Sequence, residues 1–404
     1  MYDLIVVGGG AAGMFGAISA KSAHPKAKVA LLEKSAHLLT KVRISGGGRC
    51  NVTHACFDPA LLIQNYPRGF RELQGPFHQF QPKDTVQWFE SRGVPLKAEK
   101  DGRIFPCSDS SQSIIDCLMK EASSLGVEIH LKQRIDSIAK TDTGFTVGPF
   151  SSHALLLATG SGPDGHTWAK NLGHTIQSPV PSLFTFNVPT SPLKELSGIA
   201  VESAELTLPG TSLKQKGPLL ITHFGFSGPA ALKLSAWGAR YLHEQNYKVP
   251  LAINWLPNLS LSQISTQLIE AKKRHPEKML LTENLFELPK NLWKTLVGDD
   301  RRLNDFSLKE LETLAKRLHE DIYQVEGKTT HKEEFVTCGG VTLKEVNFKK
   351  MESKICPGLF FAGEILDIDG VTGGFNFQNA WTTGYIAGCS ASDYYHSRNK
   401  GEDE

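Results

Sequence analysis

Near its start the chain reads Gly8-Gly9-Gly10-Ala11-Ala12-Gly13, which is the spacing G-x-G-x-x-G. Each glycine has its own physical task. Gly8 permits a tight turn, Gly10 lets backbone N–H groups approach a pyrophosphate, and Gly13 lets a helix pack on a strand. A helix starting here offers unpaired N–H groups and the positive end of its dipole, which suit a diphosphate. Glu33 follows 20 residues after Gly13. A carboxylate at that place accepts hydrogen bonds from a ribose diol and repels the 2′-phosphate of NADP. The chemistry implied is dinucleotide binding. The fingerprint alone does not separate FAD from NAD.

Such a cradle needs a strand before it and a helix after it. Asp3-Leu4-Ile5-Val6-Val7 has the pattern of a buried strand, Ala11 to Ala23 is small and apolar, and Lys28 to Leu32 reads as a second strand ending at Glu33. This is a βαβ unit of about 30 residues. Helices are predicted over 84–92 and 111–125, and strands over 127–131 and 154–158. Near Pro179-Val180-Pro181 the Gly-rich βα pattern stops. Strands over 184–188 and 204–208 and helices over 261–273 and 308–320 predict an inserted domain with its own core. The Gly-rich pattern returns at Gly358 to Glu364, and Gly373-Gly374-Phe375-Asn376 opens an apolar helix to about Cys389. Residues 396–404 are charged, lack an apolar face and are expected to fray. The domain boundaries expected are 1–183, 184–332 and 333–404.

Three features favour FAD over NAD. In Ile44-Ser45-Gly46-Gly47-Gly48-Arg49-Cys50-Asn51 the three glycines would let backbone lie against a flat ring and offer it amides. Ala158-Thr159-Gly160 is a strand end beside the cofactor. The late return of the Gly-rich pattern would set Glu364 near the ribityl chain or pyrophosphate. It would also aim the helix opening at Gly374 toward the flavin N1/O2 region, where a positive dipole stabilises the reduced ring. Gly160-Ser161-Gly162-Pro163-Asp164-Gly165 repeats the fingerprint. It is rejected as a second site because Pro163 removes a backbone donor and no acidic strand end follows.

Composition sets outer bounds. The 404 residues carry 44 basic and 42 acidic side chains, a net charge of +2, which argues against a dedicated nucleic-acid surface. Seven cysteines, none with metal-knuckle or redox-pair spacing, read as free thiols of a reducing cytoplasm, with no metal site expected. No basic leader or membrane-length apolar run is seen, so export and membrane insertion are not expected.

The fingerprint, the Ile44–Asn51 block, Gly102-Arg103-Ile104-Phe105-Pro106, Thr222-His223-Phe224-Gly225-Phe226-Ser227-Gly228-Pro229, Phe361-Ala362-Gly363-Glu364 and Gly373-Gly374-Phe375-Asn376 occur in this order. Together, over about residues 2–390, they resemble a bacterial flavoprotein family labelled aminoacetone-oxidase-like, or NAD(P)/FAD-dependent oxidoreductase. Its members also resemble a bile-acid ring reductase. The resemblance implies an α/β fold: a glutathione-reductase-like FAD-binding Rossmann domain interrupted by an insert with a small β-barrel and helices. It also implies one non-covalent FAD. The pyrophosphate then falls on Gly8, Gly10, Ala11, Ala12 and Gly13, and the adenosine ribose on Glu33 and Lys34. Arg43, Gly46, Gly47, Gly48, Arg49, Cys50 and Asn51 would lie along the flavin, and Ile135 would reach the adenine. Gly363, Glu364, Gly374, Asn376 and Phe377 would close the other side, with Thr159 and Gly160 at the adjoining strand end.

The expected reaction is hydride transfer between flavin N5 and a small organic substrate. Three readings stay open. The first is reduction of a conjugated C=C bond, with NADH or NADPH as a transient donor. The second is oxidation of a small amine or aminoketone by O₂. The third is an RNA-associated flavoprotein, which the balanced charge disfavours. Candidate polar groups are Arg49 and Asn51, which could polarise a carbonyl or only hold the cofactor. His223, in a Gly-rich turn, is a candidate acid or base, with holding that loop as its plainer role.

Overall fold

Runs of Val, Ile and Leu without polar alternation form strands covered on both faces, as a parallel sheet requires. The computed structural model describes residues 1–329 and 336–399. In it Tyr2–Val7 pairs in parallel with Val29–Leu32 on one side and with Phe150–Leu157 on the other. Glu128–His130 extends the sheet beyond Val29–Leu32, and Leu359–Phe361 extends it beyond Phe150–Leu157. Short antiparallel strands complete it: Val346–Asn347 with Glu352–Ser353 at one edge, and Ile138–Lys140 with Phe145–Val147 leading onto Phe150–Leu157.

The register of this sheet prepares a site. Val7 is paired with both Leu32 and Leu157, and Phe361 is paired with Leu157. Four strands therefore stop in line at their carboxyl ends. The segments leaving them are Gly8–Gly10, Glu33, Ala158–Gly160 and Ala362–Glu364, all on one edge. Ligands of open α/β sheets bind in the crevice outside such ends.

The helix Ala11–Ala23 starts from this edge, and the helix Phe375–Asn399 packs along that helix. They cross with backbone against backbone. A Cβ on Gly384 would lie 2.5 Å from the Ala12 carbonyl oxygen, and one on Gly388 would lie 2.1 Å from that of Gly16. The second helix runs well beyond the end expected near Cys389. Its far half is held by contacts that an apolar stripe does not reveal. Ser392 Oγ donates to the Ala20 carbonyl at 3.2 Å, and Asp393 pairs with His24 at 2.8 Å. Against the fraying expected from His396, the residues are helical as far as Asn399; the remainder of that stretch lies outside the described residues.

The chain divides into two compact units, one formed by Met1–Val180 with the C-terminal segment and the other beginning at Pro181. The second unit is a closed six-stranded antiparallel barrel. Its strands, in order around the barrel, are Thr185–Asn187, Gly225–Ser227, Lys214–Thr222, Ala200–Thr207, Lys248–Asn254 and Asp321–Thr329. Closure removes the exposed edges that an open sheet would present. Phe186, Leu206, Leu219, Ile221, Phe226, Leu251 and Ile253 are buried in a core shared with the helices Pro229–Trp237, Leu261–Arg274, Lys290–Val297 and Leu308–His319. The strand predicted over 204–208 is the second half of Ala200–Thr207, because an irregularity between Val201 and Ala204 breaks its alternation. Ser307 and Glu310 cap the helix Leu308–His319 reciprocally, each side chain bonding the other's backbone N–H.

Candidate functional site

The three fingerprint glycines face different surroundings. Gly8 has φ +111°, and a Cβ on it would stand 2.4 Å from the Ala158 carbonyl oxygen. A Cβ on Gly13 would stand 1.9 Å from the Gly8 carbonyl oxygen. Both are required by the close approach of the fold to itself. Gly10 differs: its backbone is ordinary extended chain (φ −82°, ψ −170°), and a Cβ on it would meet no atom within 4 Å. The open space lies where a diphosphate would stand, before the first N–H groups of Ala11–Ala23.

Glu33 is fixed at the end of its strand. One carboxylate oxygen accepts from Gly9 N and the other from Ser35 N, each at 2.8 Å. The segment leading to Ile135 runs alongside, since Gln133 N donates to the Glu33 carbonyl at 2.9 Å and Lys132 N to that of Ser35 at 3.0 Å. Ile135 is buried. Lys34 turns outward to Asp164 at 3.1 Å, an exposed pair of small energetic weight.

Gly46, Gly47, Gly48 and Cys50 all have positive φ, at 59°, 68°, 84° and 61°. A Cβ on Gly46 would press on Phe105, whereas Gly47 and Gly48 face open space. The block thus presents a side-chain-free surface. The Cys50 thiol is buried and pushed up to about 12 by that burial, against a small opposing hydrogen bond from Ser45, so it stays protonated. Arg49 stacks 4.0 Å above the Phe105 ring and gives Nη1 to Glu99 at 2.7 Å, with Asp109 at 3.6 Å. Arg103 shares Glu99 at 3.0 Å. Arg43 donates to Gln112 at 2.7 Å.

The late segment closes on this block. The Asn51 amide accepts from Gly374 N at 2.9 Å and donates to the Thr53 carbonyl at 3.0 Å. Gly374 has φ +91°, and a Cβ there would lie 2.6 Å from the same Thr53 carbonyl oxygen. Asn376 exchanges hydrogen bonds with the backbone of Gly370 at 2.8 and 2.9 Å, and Phe377 stacks on Trp381 at 5.8 Å. Gly363 has φ +74° and donates its N–H to Thr383 Oγ1 at 2.9 Å; a Cβ on it would stand 2.9 Å from that of Ala12. Glu364 lies beside Gly160 and pairs with Lys41 at 2.5 Å. In the second fingerprint, a Cβ on Gly165 would come 1.8 Å from Thr159 Oγ1, so that glycine serves packing inside the helix Pro163–Asn171.

The fingerprint, Glu33, Thr159–Gly160 and Gly363–Glu364 gather at the aligned strand ends, and the Gly46–Asn51 block meets Gly374 within the same unit. His223 belongs to the other unit, on an exposed turn after Lys214–Thr222, with its ring 4.0 Å from that of Phe224. Arg49 holds Glu99 through Nη1 and Asn51 holds Gly374, so each ties the block to its surroundings. Sequence reasoning missed several supports. Tyr66 OH donates to the Phe375 carbonyl at 2.7 Å. Gln378 gathers the Thr53 and Thr85 hydroxyls at 2.6 and 2.9 Å and donates to Thr382 at 3.0 Å. Arg68 pairs with the fully buried Asp369. The signal available was a run of polar residues, Gln378, Asn379, Thr382 and Thr383, at buried positions of one helix.

Aligned strand ends, an open position at Gly10 and a bare glycine face at Gly47–Gly48 define an FAD-binding Rossmann unit carrying an inserted barrel. FAD fits this cradle, because a Cβ on Gly10, at the start of the helix, would meet nothing where its diphosphate would stand, and Gly47 and Gly48 place no side chain in the way. The chain belongs to the HI0933-like protein Rossmann domain family, whose profile matches residues 2–390. It is 31% identical to the ribosomal RNA dihydrouridine synthase of Escherichia coli K12, over 95% of this chain and 96% of that one. It is 28% identical to the 3-dehydro-bile acid delta(4,6)-reductase of Clostridium scindens, over 97% of this chain and all of that one. Its fold resembles the 3-ketosteroid-delta4-(5alpha)-dehydrogenase of Rhodococcus jostii RHA1, with a TM-score of 0.51 at 14% identity over 97% of this chain and 96% of that one. The protein is an FAD-dependent oxidoreductase. Among the described residues no helix is long and apolar enough to cross a membrane.

Proposed function

We propose that this protein reduces a C=C bond conjugated to a carbonyl group, with NADH or NADPH as the electron source. When bound, FAD supplies the hydride-carrying ring. The observation that carries the reading is the bare face at Gly47–Gly48, beside the junction of Asn51 with Gly374. No side chain intrudes there, so a planar substrate has room to lie flat against a planar ring. The names of two relatives support the bond type. One saturates a ring of a 3-oxo bile acid, and the other makes dihydrouridine, which is uridine reduced at a C=C conjugated to a carbonyl. Gly165 packs on Thr159, so the Gly160–Gly165 repeat is not a second dinucleotide cradle.

The test is anaerobic stopped-flow. NADH or NADPH should bleach the flavin absorbance, and the reduced protein should be reoxidised by an unsaturated 3-oxo steroid or by uridine-containing RNA. These two arms identify the substrate class. Bleaching by a small amine or aminoketone, with reoxidation by O₂ alone and release of peroxide, overturns the proposal in favour of an oxidase.

A further inference from the structure

We propose that Lys41 is a cofactor-binding residue, whose ammonium is shared between Glu364 and the diphosphate of FAD. Lys41 sits where two walls of the cradle meet. Leu39, two residues before it, donates its N–H to the Gly9 carbonyl at 2.9 Å, and the Leu38 side chain occupies the place that a Cβ on Gly9 would take. Its partner Glu364 follows Gly363, which packs on Ala12, and lies 3.8 Å from the position of a Cβ on Gly160. The Lys41–Glu364 contact of 2.5 Å therefore joins the segments on either side of the Gly9–Ala12 turn, whose outward position at Gly10 is open.

The charges favour such a cation. Glu364 follows Gly363, which packs on Ala12 in the first turn of the helix, so a diphosphate at that helix start has a carboxylate on the adjoining segment, and like charges repel. Of the neighbouring cations, Lys34 faces Asp164 and Arg43 faces Gln112. The Lys41 side chain is 51% exposed while that of Glu364 is 16% exposed, so the ammonium is the member of the pair that a phosphate can reach. A lysine acts on phosphate as a mobile point charge and can serve two anions at once.

The experiment measures binding of FAD, and of ADP as competitor, to flavin-stripped full-length protein by fluorescence, at low and high NaCl. Lys41→Met should raise the Kd for both FAD and ADP at least about tenfold, with the difference shrinking as salt screens the charge. Lys41→Arg should retain most of the affinity, which shows that the site still folds. Unchanged Kd values in Lys41→Met overturn the proposal. So does a loss for FAD with none for ADP, which would place the lysine at the flavin end. Full recovery of FAD affinity in Lys41→Met/Glu364→Gln also overturns it, since the lysine would then only neutralise Glu364.

Discussion

Gly10 and Gly13 look alike in the sequence and should behave as opposites on substitution. Gly10 has backbone angles that any residue adopts and open space in front of it. Gly10→Val should leave the unfolding free energy of the flavin-free protein within about 0.5 kcal/mol. FAD affinity should fall by about 100-fold or more, roughly 2.8 kcal/mol, because the new side chain occupies the diphosphate's place. Denaturant unfolding and FAD titration on the same preparation check the two halves. Glu33→Ala removes both acceptors for Gly9 N and Ser35 N. It should cost about 1.5–3 kcal/mol, seen as weaker FAD binding and a lower unfolding midpoint together. The spacing assigns Gly10 to the open position and Gly8 and Gly13 to close packing, and the surroundings of the three agree; which atoms Gly8 and Gly13 approach is set by the fold and has no signature in the spacing.

At the scale of elements, the crossing of Ala11–Ala23 with Phe375–Asn399 sets how close the first and last parts of the cofactor cradle come. Gly384→Ala would put a methyl group 2.5 Å from the Ala12 carbonyl oxygen. Overpacking of this kind costs about 1–3 kcal/mol. We expect a lower urea midpoint and weaker flavin retention, whereas alanine at the open Gly126 should affect flavin retention little. The central strands of this sheet were legible from their apolar runs, whereas the short strands Ile138–Lys140, Phe145–Val147, Val346–Asn347 and Glu352–Ser353 were not, because two or three residues carry no periodicity. The crossing was not, because a glycine inside a helix reads locally as a loss of helix propensity. Its compensating contact lies hundreds of positions away. The same holds for Tyr66, whose partner Phe375 has no local signature. The extra turns of the C-terminal helix escaped because Ser392 and Asp393 dock through polar atoms that hydrophobic periodicity does not count.

At the scale of the whole molecule, two histidines tie stability to pH. Burial holds both His166 and His174 below the ordinary histidine range, against hydrogen bonds that the rings give to the Ile365 backbone and to Glu345, which oppose the shift. The unfolded chain therefore takes up protons first as pH falls through about 6.5, and stability rises with pH across that window. The urea midpoint should drop between pH 7.5 and pH 6, and a His166→Asn/His174→Gln variant should show a flatter profile. The interruption of the Gly-rich pattern made the inserted unit legible, but nothing in the sequence marks the in-line ending of Val7, Leu32, Leu157 and Phe361. Register between parallel strands so far apart is set by tertiary packing.

The placement of Leu359–Phe361 against Phe150–Leu157 also bears on how the protein is made. Synthesis runs from the N-terminus at about 5–20 residues per second. The barrel strands all precede residue 330, whereas the last wall of the flavin cradle is translated afterwards. A nascent chain therefore passes through a stage with a complete barrel and an incomplete cradle. Loading of flavin is a closing event of biogenesis, and a chain stalled at about residue 350 should emerge colourless.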